Sequence, residues 1–116
     1  MAYKVLALDI DGTLTDSAKR ITDRTKEAVL AAAKKGVKIV IASGRPVQGI
    51  RAFAEELKLK ENDGYILSFN GGRLISCRTG EIIHDMKLPL EYLPEIYALS
   101  KEYGVNLMSY EGDDLI

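Results

Sequence analysis

Two carboxylates stand two residues apart in Asp9-Ile10-Asp11-Gly12-Thr13, directly after the apolar run Val5-Leu6-Ala7-Leu8. Acids this close repel one another and lose hydration, so a cation or a shared proton must compensate. One carboxylate can bind a divalent cation or attack an electrophile, and the other can hold or remove a proton. Gly12 lets the backbone turn and approach a ligand closely. Further along, Ser43-Gly44-Arg45 closes a second apolar run, and Asn70-Gly71-Gly72 closes a third. A hydroxyl beside backbone amides at a helix start makes an anion site. Magnesium, which takes oxygen ligands and keeps several waters, suits an acid that must meet an anion. Nucleophilic carboxylate, anion cradle and hard cation together describe phosphoryl transfer.

The elements that must position these residues alternate. Residues 3–8 read as a first strand, apolar on both faces after Lys4, as in the middle of a parallel sheet. Thr22 is an N-cap for a helix over 23–35 with Ala28, Val29, Ala32 and Ala33 as its apolar face, ended by Gly36. A β-branched run over 37–42 is the second strand, Pro46 opens a helix to about residue 58, and 65–69 is the third strand. The alternation predicts an α/β fold, a Rossmann-like parallel sheet with helices on both faces. All three strand ends then reach one edge of the sheet. After Gly72 the pattern changes to a hairpin over 74–84, a helix over 90–103 and a strand over 105–110. The predicted division is a core over 1–81 and a second, α+β module opening at 82–116.

The bulk composition narrows the classes. A chain of 116 residues holds one domain with a real core but not two ordinary ones. Sixteen basic against seventeen acidic residues give no electrostatic reason to expect nucleic acid or an anionic membrane as partner. A single cysteine, Cys77, excludes an internal disulfide and fits a reducing compartment. With no signal-peptide pattern and no apolar run of spanning length, the expected location is the cytoplasm.

Asp9-x-Asp11-Gly12-Thr13 resembles the first signature of the haloacid dehalogenase superfamily, and Ser43 at the second strand end resembles its second. Ala42-Ser43-Gly44-Arg45-Pro46 and Phe69-Asn70-Gly71 resemble, more narrowly, the Cof-type sugar-phosphate phosphatases. The resemblance implies Asp9 as nucleophile and magnesium ligand, forming an aspartyl-phosphate. It implies Asp11 as general acid and then base, with its carbonyl on the metal. Gly12, Ser43 and Gly44 would hold the phosphoryl oxygens, Thr13 would support the loop, and Arg45 and Asn70 would line the pocket mouth. The second module would be the start of a cap that selects a small phosphorylated metabolite, a sugar phosphate or a phosphoglycolate-like compound. The family also needs a lysine and a late acidic motif that normally follow the cap. Lys34 and Lys35 lie on the wrong helix, and Gly112-Asp113-Asp114 reads as a plain turn. The chain is therefore expected to be an N-terminal portion, weak or inactive alone.

Plainer readings attend the other residues. His84 lacks metal-ligand spacing, Cys77 reads as a small strand or core residue, and the scattered tyrosines do not form a stacking platform. A non-enzymatic alternative, a receiver-like phosphoacceptor or binding fragment, also pairs acids at its first strand end. A receiver's acceptor aspartate belongs where this chain has Asn70.

Overall fold

The computed structural model of the protein describes residues 2–116. Strands β1 (Val5–Leu8), β2 (Lys38–Ala42) and β3 (Tyr65–Ser68) pair in parallel, in the order of the sequence. Strand β4 (Arg73–Ser76) then adds antiparallel to β3, and β5 (Ile82–Asp85) antiparallel to β4, completing a mixed five-stranded sheet among the described residues. The hairpin expected after Gly72 thus extends the same sheet. The described chain divides into two compact units with the break after Asp85. That is later than the expected start of the second module at residue 82, because Ile82–Asp85 pairs with β4.

The two crossovers explain the core. Helix α1 (Asp23–Lys34) joins β1 to β2, and α2 (Arg51–Glu56) joins β2 to β3. Successive right-handed crossovers stepping the same way across a sheet place both helices on one face. One buried cluster accordingly joins Val29 of α1 and Ala54 of α2 to Ile39, Ile41 and Ile66, with Leu6 and Leu8 packed against it. The register puts these strand residues side by side, Leu6 with Ile39, and Leu8 and Ile66 with Ile41. The α/β class stands, but within these residues both crossover helices lie on one face rather than one on each. The alternate side chains face away from the cluster, and Val5 is 57% exposed. Among the described residues strand β1 pairs on one side only, with β2.

Local chemistry follows the sequence closely at α1. The Thr22 hydroxyl accepts the Thr25 amide at 3.3 Å as an N-cap, while Ala28, expected on the apolar face, is exposed. The second helix is shorter than expected. A single 3-10 turn, Val47–Gly49, precedes the six residues of α2, in keeping with the weak helix propensity of Gly49.

In the second unit, a 3-10 turn at Leu90–Tyr92 leads into α3 (Leu93–Tyr103). Gly104 ends α3 in the left-handed region at φ 62°, and the Val105 amide donates back to the Ser100 carbonyl at 3.0 Å. The strand expected over 105–110 is reduced to Tyr110. It belongs to a two-residue strand β6 (Tyr110–Glu111) that pairs with β7 (Asp114–Leu115). Among the described residues no helix is long and apolar enough to cross a membrane.

Candidate functional site

Asp9 is the first residue after β1, and the chain then makes one wide turn. The Leu14 amide donates to the Asp9 carbonyl and the Thr15 amide to the Ile10 carbonyl, both at 3.0 Å. These bonds span five residues, the spacing of a π-type turn, a geometry frequent at functional sites. Gly12 makes the turn possible with φ 77°, a value that strains any residue with a Cβ. Ile10 is fully buried and Leu14 nearly so, while Asp9 and Asp11 are exposed. The apolar residues anchor the turn in the core and leave the acids facing outward. Thr13, the expected support, is exposed. The hydroxyl that closes the turn belongs to buried Thr15, which donates to the Ile10 carbonyl at 2.9 Å. The sequence signal for Thr15 is faint, a β-branched hydroxyl one residue beyond the motif.

The other two strand ends are stitched to each other. The Ser43 amide donates to the Leu67 carbonyl at 2.9 Å, extending the β2–β3 ladder, and the Asn70 amide donates to the Ser43 carbonyl at 3.3 Å. The Phe69 amide donates to the Arg45 carbonyl at 3.1 Å. Phe69, Asn70 and Gly71 all have positive φ, a run of strain held in place by these bonds. The Ser43 hydroxyl accepts the Arg45 amide at 3.2 Å. A Cβ on Gly44 would lie 2.7 Å from Oδ1 of Asn70, so only glycine admits this approach.

Two open recesses result. One, of about 300 Å³, is lined by Asp9, Ser43, Gly44, Leu67, Asn70 and Gly71. The structure thus brings together residues from all three strand ends. The second, of about 490 Å³, is lined by Asp11, Gly12, Thr15, Asp16, Ser17 and Lys19. Asp11 and Gly12 are not among the residues lining the first recess, so the expected constellation is split between two neighbouring hollows. The short 3-10 turn after Pro46 also means that Ser43 and Gly44 do not stand at the start of a long helix. Any anion binding there rests on the local amides and hydroxyl.

Arg45 joins the two turns instead of simply lining the mouth. Its guanidinium donates to both carboxylate oxygens of Asp11, at 2.7 and 3.1 Å. This hydrogen bonding holds the Asp11 carboxyl below the usual carboxylate range, and the charge of Lys19 acts in the same direction. No periodicity argument reveals this pair, whose members are 34 residues apart.

The donors fit magnesium in kind. The Asp9 carboxylate and the Asp11 main-chain carbonyl are hard oxygens, and magnesium binds through one or two carboxylates with waters retained. Among the described residues no group of three His, Cys, Asp or Glu side chains could hold a metal by itself. The turn thus offers two hard oxygens, fewer than a complete magnesium shell needs. Elsewhere His84 is exposed on β5, and half-buried Cys77 packs against the core cluster as expected.

Residues 6–116 match the family model for haloacid dehalogenase-like hydrolases. The chain is 37% identical over 103 residues to the 5-amino-6-(5-phospho-D-ribitylamino)uracil phosphatase YcsE of Bacillus subtilis (strain 168), covering 89% of this chain and 40% of that protein. A crystal structure of a haloacid dehalogenase-like hydrolase from Bacteroides thetaiotaomicron superposes with a TM-score of 0.89 at 38% identity, over 98% of this chain and 43% of the other. The subclass IIB sugar phosphatase BT4131 superposes with a TM-score of 0.78 at 33% identity, over 97% and 42% of the two chains. The chain spans about two fifths of the length of curated relatives it matches.

Proposed function

The chain belongs to the haloacid dehalogenase-like hydrolase family, and from that premise we propose that its protein is a magnesium-dependent phosphomonoester hydrolase. The observation that carries this reading is the recess where Asp9 meets Ser43, Gly44 and Asn70. A carboxylate facing hydrogen-bond donors across a small open hollow suits a tetrahedral phosphoryl group.

In the first step the Asp9 carboxylate attacks phosphorus, forming an acyl phosphate as the bond to the leaving oxygen breaks. Asp11, protonated for this step, gives its proton to that oxygen. In the second step the Asp11 carboxylate takes a proton from the water that attacks the aspartyl-phosphate, releasing inorganic phosphate and restoring Asp9. The Ser43 hydroxyl and the amides of Gly12 and Gly44 donate to the phosphoryl oxygens that keep their bonds. A magnesium ion held by Asp9 and the Asp11 carbonyl supplies the charge that lets an anion approach a carboxylate. Thr15 keeps the turn closed, and Asn70 borders the entrance.

The substrate is a small phosphomonoester. Sugar phosphates are the first class to test, since the similar BT4131 is a sugar phosphatase. We read the residues from Met86 onward as the opening of a cap that chooses among such compounds. The test is hydrolysis of p-nitrophenyl phosphate with magnesium by the protein that carries this sequence. Asp9→Asn should lower the rate by at least about a thousandfold. An undiminished rate in that variant would sink the assignment.

A further inference from the structure

Every arm of the Arg45 guanidinium is engaged. Nε and Nη2 grip the two oxygens of Asp11, and Nη1 donates to the Gly49 carbonyl at 3.3 Å. Its central carbon lies 5.6 Å from the centroid of the Phe53 ring. A carboxylate held at both oxygens by a guanidinium serves only as an acceptor. Held as the ionised acceptor of this pair, Asp11 carries no proton to give to a leaving group, although each oxygen keeps a lone pair. The paired arrangement is therefore not the one in which a leaving group is protonated.

We infer that Arg45 is a ligand-operated latch: it holds Asp11 while the phosphoryl recess is empty, and an incoming phosphomonoester draws the guanidinium away and frees the carboxyl group. This rests on the role proposed above for Asp11. Three features support it. The pair is open to solvent, with side-chain exposures of 55% for Asp11 and 30% for Arg45, and such pairs are weak and screened by salt. A phosphomonoester dianion offers the same two-point geometry as a carboxylate with more charge, so the exchange is favourable. The Arg45 backbone is pinned at the rim of the recess, its amide donating to Ser43 Oγ and its carbonyl accepting from Phe69. The side chain can therefore change partner without moving the loop.

The test is heteronuclear NMR of the arginine Nε–H signals and backbone amides of the chain, titrated with inorganic phosphate in the presence of magnesium. Without phosphate, the Arg45 Nε–H signal should be protected from exchange, and Asp11→Asn should abolish that protection. Added phosphate should shift the Ser43 and Gly44 amides and, along the same saturation curve, remove the protection at Arg45. If Ser43 and Gly44 respond while Arg45 stays protected, the latch is refuted and the phosphate site stands. If Ser43 and Gly44 do not respond, the phosphate site fails and takes the latch with it. Arg45→Lys keeps the charge but loses the two-point grip. In that variant phosphate should still shift Ser43 and Gly44 while the coupled shift at the Asp11 and Gly12 amides disappears; persistence of that coupled shift also overturns the latch.

Discussion

The two units of the chain differ in kind. The unit ending at Asp85 holds every residue of the buried apolar cluster, among them Ile10, Ile41 and Ile50 at 0% exposure. The unit over Met86–Ile116 buries only Ser100, and its large apolar side chains Leu90, Tyr103 and Met108 are mostly exposed. The contrast follows from size and pattern. A stretch of about thirty residues has too little interior to bury its apolar side chains by itself. The candidate chemistry lies wholly in the first unit, on turns fixed by the core. Rigid support for a reactive turn is what positioning chemistry demands. An open apolar surface suits a region whose role is to meet something else.

The two units should differ most in what they contribute to stability. Ile41→Ala should destabilise the fold by about 2–5 kcal/mol, the range for emptying a well-packed aliphatic site. Leu90→Ala should change it by less than about 0.5 kcal/mol, as at other exposed positions. Urea denaturation of both variants checks the pair, and equal losses would show that the second unit has a core of its own.

Within the first unit, Gly44→Ala should separate binding from stability. The new methyl meets the mobile end of Asn70, so stability should fall by less than about 1 kcal/mol. Displacement of Asn70 and of the Gly44 amide should weaken inorganic phosphate binding by roughly tenfold, read by calorimetric titration. Unchanged affinity would remove Gly44 from the anion cradle.

Chemical labelling contrasts the two units without substitution. Burial pushes the Cys77 thiol up to about 11. Its reaction with Ellman's reagent at pH 8 should run roughly a hundredfold slower than that of a free thiol. Because the folded-state value lies above the unfolded one, the thiol's contribution to stability is intact below about pH 9. It is lost as pH rises toward 11. Met86 and Met108, at 72% and 67% exposure, should by contrast oxidise readily in dilute peroxide. Mass spectrometry that found Cys77 modified first would reverse the assignment of the two interiors.

Much of the first unit is legible in the sequence because its signals are local. Thr22 caps the helix it should cap, and the three strands begin or end within a residue or two of their apolar runs. Strand order is not local, which is why the single face shared by both crossover helices differs from the expectation. Segment 105–109 carries β-forming residues but stays irregular up to Ser109, which exchanges backbone hydrogen bonds with Ile116, both at 2.9 Å. At the site, Asp9, Ser43, Gly44 and Asn70 are foreseeable from strand-end logic. The Arg45–Asp11 pair is not, since charge complementarity across 34 residues leaves no trace in spacing, and Thr15 sits one step outside the recognisable motif.

The turn over Ile10–Leu14 separates two kinds of selection. Its buried side chains, Ile10 and Leu14, answer to folding, and the exposed acids beside them, Asp9 and Asp11, answer to the proposed chemistry. Because Asp9 and Asp11 make no contribution to the interior, mutation can exchange them without collapsing the scaffold. Changes at Ile10 should instead alter catalysis and folding together. A lineage built on such a turn can drift in reactivity while its architecture persists, so kinship in shape outlasts kinship in reaction.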